Sequence, residues 1–377
     1  MRYSFAVAAL LTLPVALPLY GQIPFNSHQV NPDHTITFRY AAPNAKKVLL
    51  LTDGLPKPLP MEQDATGLWT VTTPPLAPQI YAYRIDPDGQ QGFDPWNPNI
   101  TPNLDLQGAN VEVPGDTPMP WDIADVPHGA VHHHTFTTKF VVGLPANQDN
   151  FYVYTPPGYD PKAKAPYPVL YLLHGWGHTT ADWTVTNQAD IILDNLLAQH
   201  KIKPMLVVMP LGYGDMSFAT TYKGWSEPAT VARNTDLFAQ SLLTEVIPAV
   251  ESAYNVSRKR EDRAIAGLSM GGLESLSIGL SHTDKFGYVL GLSSAVQGLD
   301  ADKAFPNLNP KSANLRLLWI ACGTEDDLIA PNRKFVAWLK SKDMAVTPVE
   351  IPGRHTAIVW RENLIQFAPL LFQPSSH

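Results

Sequence analysis

Cysteine is nearly missing from this chain: its 377 residues hold one, Cys322. A single thiol cannot close an intrachain disulfide, so stability has to come from an apolar core, which this length allows. Standing at the end of an apolar stretch, Cys322 reads as core rather than chemistry. Charge of one sign is also scarce. The net charge of −7 is mild and spread out, and no basic run occurs, so nucleic acid is not an expected partner. Long uninterrupted apolar runs are lacking too. Tyr3 to Leu19 is apolar, but Pro14 and Pro18 break it, and it is short for a transmembrane helix. With Arg2 before it and Gly21 after it, it reads as a secretory signal over residues 1–21. A secreted or periplasmic protein without stable membrane association is therefore expected. No internal repeat occurs. Metal-ligand spacing is missing as well: His132-His133-His134 are consecutive, and neighbours on an extended chain point to opposite faces and cannot close on one ion. They read as a loop or strand entry, and neither a metal nor an organic cofactor is expected.

Proline, by contrast, is abundant. More than half of the 36 prolines precede Asp160, which marks an architectural change from β-edge and loop chemistry to helices. The length suits two domains. From Gln22 to Val113 the pattern is all-β: Thr35–Tyr40, Leu68–Thr72 and Ile80–Ile85 alternate, and turns such as Asp86-Pro87-Asp88-Gly89 separate them. Short strands with regular turns indicate a small immunoglobulin-like sandwich over 22–113. Its aromatics Trp69, Tyr81, Tyr83 and Trp96 are candidate glycan contacts, although alternating aromatics in a strand are more often half core. Residues 114–135, rich in proline, read as a linker, and an α/β domain is expected over 136–377.

The most informative run is Arg263 to Gly272, RAIAGLSMGG. An apolar strand meets Gly-x-Ser-x-Gly and then a helical segment, as a sharp turn presenting a nucleophile would read. Glycines on both sides let the turn close around a strained Ser269. The helix behind it would direct amides toward developing negative charge. A serine hydroxyl needs a base, and the base needs an orienting acid. Leu315–Ala321 reads as a buried strand ending in Glu325-Asp326-Asp327, and Val346–Ile351 as another ending near His355. A loop can aim only one of the three acids at His355, and spacing alone does not choose among them. Pro168–Leu173 is a further buried strand, running into His174-Gly175-Trp176-Gly177. That loop is placed to supply one oxyanion donor, the Trp176 amide, with Met270 giving the other. His174 itself reads as a loop-fixing hydrogen bonder.

Tyr152–Asp160 (YVYTPPGYD), Tyr167–Gly177 (YPVLYLLHGWG), RAIAGLSMGG, Ile320–Ile329 (IACGTEDDLI) and Gly353–Leu364 (GRHTAIVWRENL) together resemble the esterase D and feruloyl esterase group of α/β-hydrolases, carbohydrate esterase family 1. The resemblance covers about two thirds of the chain, from Phe136 to Phe372. It implies an α/β-hydrolase fold and a catalytic triad of Ser269, Asp326 and His355, the acid following Gly-x-x. The residues before Phe136 resemble the early-set and glycogen-binding-like modules of carbohydrate enzymes.

Trp176, Trp183, Trp225 and Trp360 fall in or near segments expected at the carboxyl edge of the sheet, and the last three are candidate substrate contacts. At least two of the four are expected to pack in the core. Tyr213–Glu227 reads as a long loop shaping a cleft, before a helix over Asn234–Tyr254. The group's substrates include feruloylated and acetylated xylans, acyl thioesters and siderophore lactones. An exported chain with a sandwich module fits an ester of plant polysaccharide or oligosaccharide best. Acetyl xylan or siderophore esters, a non-catalytic glycan binder and a secreted peptidase are the competing readings.

Overall fold

The computed structural model describes residues 26–373 apart from 93, 105–107 and 220, so the signal expected at 1–21 lies outside the described residues. An eight-stranded mixed sheet organises the larger part. In spatial order its strands are Ala130–Thr137, Gln148–Thr155, Leu206–Pro210, Val169–Leu173, Arg263–Leu268, Tyr288–Leu292, Leu317–Gly323 and Thr347–Ile351. The first two pairings are antiparallel and the rest parallel. Its central strands are continuous apolar runs buried along their whole length, as strands covered on both faces must be. Two apolar clusters, one on each face, join the sheet to its helices.

Register places the site. Leu173 pairs with Gly267, Leu268 with Leu292, Leu292 with Ala321, and Gly323 with Ile351. The carboxyl ends of five adjacent strands therefore lie side by side, and the loops after them begin at His174, Ser269, Ser293, Thr324 and Pro352. Strand order reverses around Val169–Leu173, which opens a crevice there.

The N-terminal part forms two antiparallel sheets of four and five strands. They enclose one apolar cluster that includes Phe38, Leu50, Trp69, Tyr81 and Tyr83. This corrects the reading of Trp69, Tyr81 and Tyr83 as glycan contacts: they face inward and are buried. Trp96 alone of that set is exposed, at 37%. The cluster also takes in Ile358 from the helix Ala357–Phe367, so the two cores interpenetrate.

Two boundaries shift. The expected linker 114–135 ends earlier, because Ala130–Thr137 is already the edge strand of the large sheet. The three histidines belong to that strand: His132 and His134 share the face toward Tyr254, where His132 also bonds Thr155 and His134 meets the Tyr254 hydroxyl at 2.6 Å, while His133 bonds Asn150. The helix expected over Asn234–Tyr254 starts at Pro228, where a proline suits the first helical turn. It widens into a π turn over Leu242–Val246 before continuing as Ile247–Ala253. Pro248, which lacks an N–H and crowds the preceding turn, accounts for the widening.

Candidate active site

Ser269 stands between the strand Arg263–Leu268 and the helix Met270–Ser281 with φ 54° and ψ −111°. A non-glycine residue there carries about 1–3 kcal/mol of backbone strain. The neighbouring glycines are required by close approach. A Cβ on Gly267 would lie 2.3 Å from the Gly271 oxygen, and one on Gly271 would lie 2.5 Å from the His174 oxygen. The turn is also stitched in place: Ser269 N–H donates to Leu292 O at 2.8 Å, and Ala295 N–H donates to Ser269 O at 3.0 Å.

The Ser269 hydroxyl lies 3.0 Å from His355 Nε2, and His355 Nδ1 lies 2.8 Å from Asp326 Oδ2. An ionised carboxylate only accepts, so Nδ1 carries the proton and Nε2 is left to accept from the serine hydroxyl. Asp326 is 2% exposed, whereas Glu325 and Asp327 face solvent. Main-chain bonds bring acid and base loops together: Thr324 N–H donates to Ile351 O, and Glu325 N–H to Gly353 O. Burial acts to raise the pKa of Asp326, but the hydrogen bond and charge of His355 and the Leu328 N–H outweigh it, and the net shift is downward. Cys322 is buried beneath this loop, and its thiol is pushed up to about 12 by burial and the adjacent Asp326 charge.

The loop carrying Trp176 lies against the serine: a Cβ on Gly175 would sit 3.4 Å from Ser269 Cβ. His174 fixes this loop. Its Nδ1–H donates to Gly175 O at 2.8 Å, and its Nε2 accepts from Gly212 N–H at 2.9 Å. Burial lowers its pKa to about 4, so it is neutral at pH 7. Gly271 N–H donates to His174 O, tying the same loop to the turn at Ser269.

The four tryptophans separate. Trp183 is 1% exposed and donates to Leu173 O, which corrects its reading as a substrate contact. Its ring fills the core beneath the crevice. Trp360 is 5% exposed and packs edge-on against His355, with ring centres 5.1 Å apart. Trp225 packs at a tilt against Phe218 and lines a cavity of about 600 Å³ with Leu273, Ala295 and Phe305. The Trp176 indole donates to Phe218 O. The segment read as the loop Tyr213–Glu227 contains two short helical turns, Met216–Ala219 and Tyr222–Ser226.

Several site residues are not apparent in the sequence. A second cleft, of about 300 Å³, runs beside His355 and Trp360 and is walled by Thr52, Asp53 and Arg84 of the N-terminal sheets. His178 closes it, held by Asp182 at 3.1 Å; their spacing of four residues in a local turn was the only available signal. Glu274 lies wholly buried on the helix that follows Ser269, accepting from Asn234 at 3.2 Å. Its pKa is driven well above the usual value by burial, with the Asn234 bond partly opposing.

A mixed sheet with a serine turn, a buried acid and a histidine aligned at its carboxyl edge defines an α/β-hydrolase-type esterase architecture. The family model described as "Putative esterase" matches residues 145–369, and the chain belongs to that family. An endo-1,4-beta-xylanase/feruloyl esterase of Xylanibacter ruminicola is 30% identical over 351 residues, covering 91% of this chain and 46% of that protein. The chain thus spans about half the length of that relative. Among solved structures, a ferulic acid esterase of Anaeromyces mucronatus aligns with a TM-score of 0.58 at 22% identity, covering 73% of this chain and 97% of that one. The enterobactin esterase of Shigella flexneri aligns at 0.68 and 20% identity, covering 93% and 96%. These last two likenesses concern the fold. No helix among the described residues is long and apolar enough to cross a membrane.

Proposed function

We propose that the chain is a serine esterase that releases acyl groups from plant polysaccharide through an acyl-enzyme. The unbroken hydrogen-bonded line Ser269–His355–Asp326 carries this reading. Ser269 attacks the ester carbonyl as His355 takes its proton, and Asp326 holds the imidazole in the competent tautomer. The amides of Met270 and Trp176 stabilise the oxyanion, each contributing about 3 kcal/mol to lowering the barrier. His355 then protonates the departing alkoxide. Water, activated by the same base, releases the acid.

The cavity lined by Trp225, Leu273 and Ala295 is suited to the acyl half. Two of its lining residues, Leu273 and Ala295, donate main-chain N–H groups to Ser269 O, and its flat indole wall fits a hydroxycinnamoyl ring. The family supports ester hydrolysis, and the feruloyl esterase relative supports this substrate class. An N-terminal immunoglobulin-like module over 22–113, a shortened linker and a catalytic domain extending to the C-terminus complete the reading. Export, as the leader-like segment suggests, would bring the enzyme to such a polymer. The test is hydrolysis of methyl ferulate beside 4-nitrophenyl acetate by wild type and Ser269→Ala. Turnover of both by wild type alone is the expected result. Ser269-independent turnover, or none, would overturn it. Acetate cleavage alone would keep the mechanism and move the substrate to acetylated glycan.

A further inference from the structure

The cleft beside His355 is walled by parts of the chain that lie far apart in sequence. His355, Thr356, Ala357 and Trp360 form one part of the lining, and Thr52, Asp53 and Arg84 come from the N-terminal sheets. Other contacts pin these units together around it. Thr179 Oγ1 donates to Pro102 O, and Leu104 N–H donates to Gly177 O. At about 300 Å³ the cleft suits one small ring, near the lower end of ligand pockets, roughly 300–1,000 Å³.

Its polar groups are of complementary kinds. Arg84 is half-buried on the strand Gln79–Pro87, and no carboxylate among the described residues lies within ion-pair distance of its guanidinium. A guanidinium half withdrawn from water, with no acceptor among the described residues, gains from a ligand that supplies one. His178 Nδ1 stands 3.1 Å from Asp182 Oδ2, an oxygen that also accepts from Asn187 at 3.1 Å. In the tautomer that keeps its proton on Nδ1, facing that carboxylate, His178 presents Nε2 as an acceptor. Its ring packs edge-on against Trp360 at 6.1 Å, the same indole that packs against His355. Asp53 adds carboxyl oxygens to the lining.

We propose that this cleft binds the alcohol half of the ester and that its ligand is a sugar ring, with Arg84 donating to ring hydroxyls and His178 and Asp53 accepting from them. The inference rests on the esterase reading above and extends it to the leaving group. Each sugar hydroxyl both donates and accepts, so a donor-only guanidinium beside acceptor groups matches it on both counts. A carboxylate-bearing alcohol would gain Arg84 but meet Asp53, and an alkyl alcohol would leave all three groups unpaired. The location follows from the reaction order as well. The departing alkoxide takes its proton from His355, so it has to leave on the His355 side of the serine.

The test uses the full chain and esters of one acid: methyl ferulate, a feruloylated arabinose, and the feruloyl ester of an N-acylserine. Wild type is expected to favour the arabinose ester in kcat/KM. Arg84→Ala should shrink that preference about tenfold, mainly through KM, the size expected for losing a hydrogen bond from a charged donor. Arg84→Lys should restore part of it. His178→Ala reads the same ratio if Arg84→Ala does not fold. A ratio unchanged in both variants, at wild-type thermal midpoint, overturns the subsite. Wild-type preference for the acylserine ester overturns the sugar assignment, and so does equal turnover of the methyl and arabinose esters. Cleavage of none of the three overturns the esterase reading first, and the subsite with it.

Discussion

The guanidinium of Arg354 donates to the main-chain oxygen of Asp53 at 2.7 Å and to that of Leu55 at 2.8 Å, joining residues 301 and 299 positions apart. Arg354 immediately precedes His355, so the N-terminal part holds the loop that carries the proposed general base. Arg361, wholly buried on the following helix, reaches the same unit: it donates to Gln79 Oε1 and to Ile80 O, and to Thr186 O of the larger unit. The N-terminal part is thus built into the catalytic architecture.

Arg354→Ala should lower kcat on methyl ferulate with little change in KM, because it loosens the histidine loop without touching the substrate. Misplacement of a catalytic group by about 1 Å costs up to roughly 100-fold. Steady-state kinetics, with Arg354→Lys as partial rescue, check this. A fall in thermal midpoint with kcat intact would assign Arg354 to stability alone.

Ser269→Ala and Asp326→Asn should each reduce ester turnover by about 10⁴-fold or more while the circular dichroism spectrum stays that of wild type. The asparagine keeps the shape but offers the histidine the wrong tautomer. The double variant should be little worse than Ser269→Ala, since the residues act as one unit. Additive losses would mean that Asp326 acts separately from Ser269.

Glu274 gives a stability prediction. Its folded pKa is raised, so the stability contribution is full below the unfolded value and is lost as pH rises toward the folded one. Glu274→Gln keeps the bond from Asn234 and has no proton to lose. Its thermal midpoint should exceed that of wild type at pH 8 and match it at pH 4. Equal midpoints at both would show that the carboxyl is not held neutral.

Much of the site was legible because its signals are local. RAIAGLSMGG needs glycines where main chains approach within contact distance, and the buried strand runs before His174, Ser269 and Asp326 are continuous in sequence. The choice among Glu325, Asp326 and Asp327 was not local. It depends on main-chain bonds from Thr324 and Glu325 to the next strand and loop, which turn the middle acid inward. Trp183 was misassigned for a related reason: Trp183 and Trp360 are equally apolar, and only tertiary placement puts one in the core and the other against His355. Arg84, Asp53 and Arg354 were invisible, because contacts across hundreds of residues leave no spacing to read.

His174 ties the oxyanion loop to protonation. Buried and neutral, with a folded pKa of about 4 against about 6.5 for an unfolded histidine, it takes up its proton in the unfolded chain first. Between those values the unfolded state binds more protons, so stability falls as pH drops from about 6.5 to 4, by up to about 3 kcal/mol. Asp53, Asp149 and Glu112, each pushed up to about 7 chiefly by burial, pull the other way: their folded forms hold the extra proton over an overlapping range. The wild-type profile is therefore a sum of opposing slopes, and only a difference isolates the histidine. His174→Gln can still donate to Gly175 O and accept from Gly212 N–H, and it does not titrate. Urea unfolding at pH 7 and pH 4.5 should show the variant losing less stability on acidification than wild type. Parallel profiles would mean that His174 does not remain neutral in the fold, and the clamp on the Trp176 loop would then need another source.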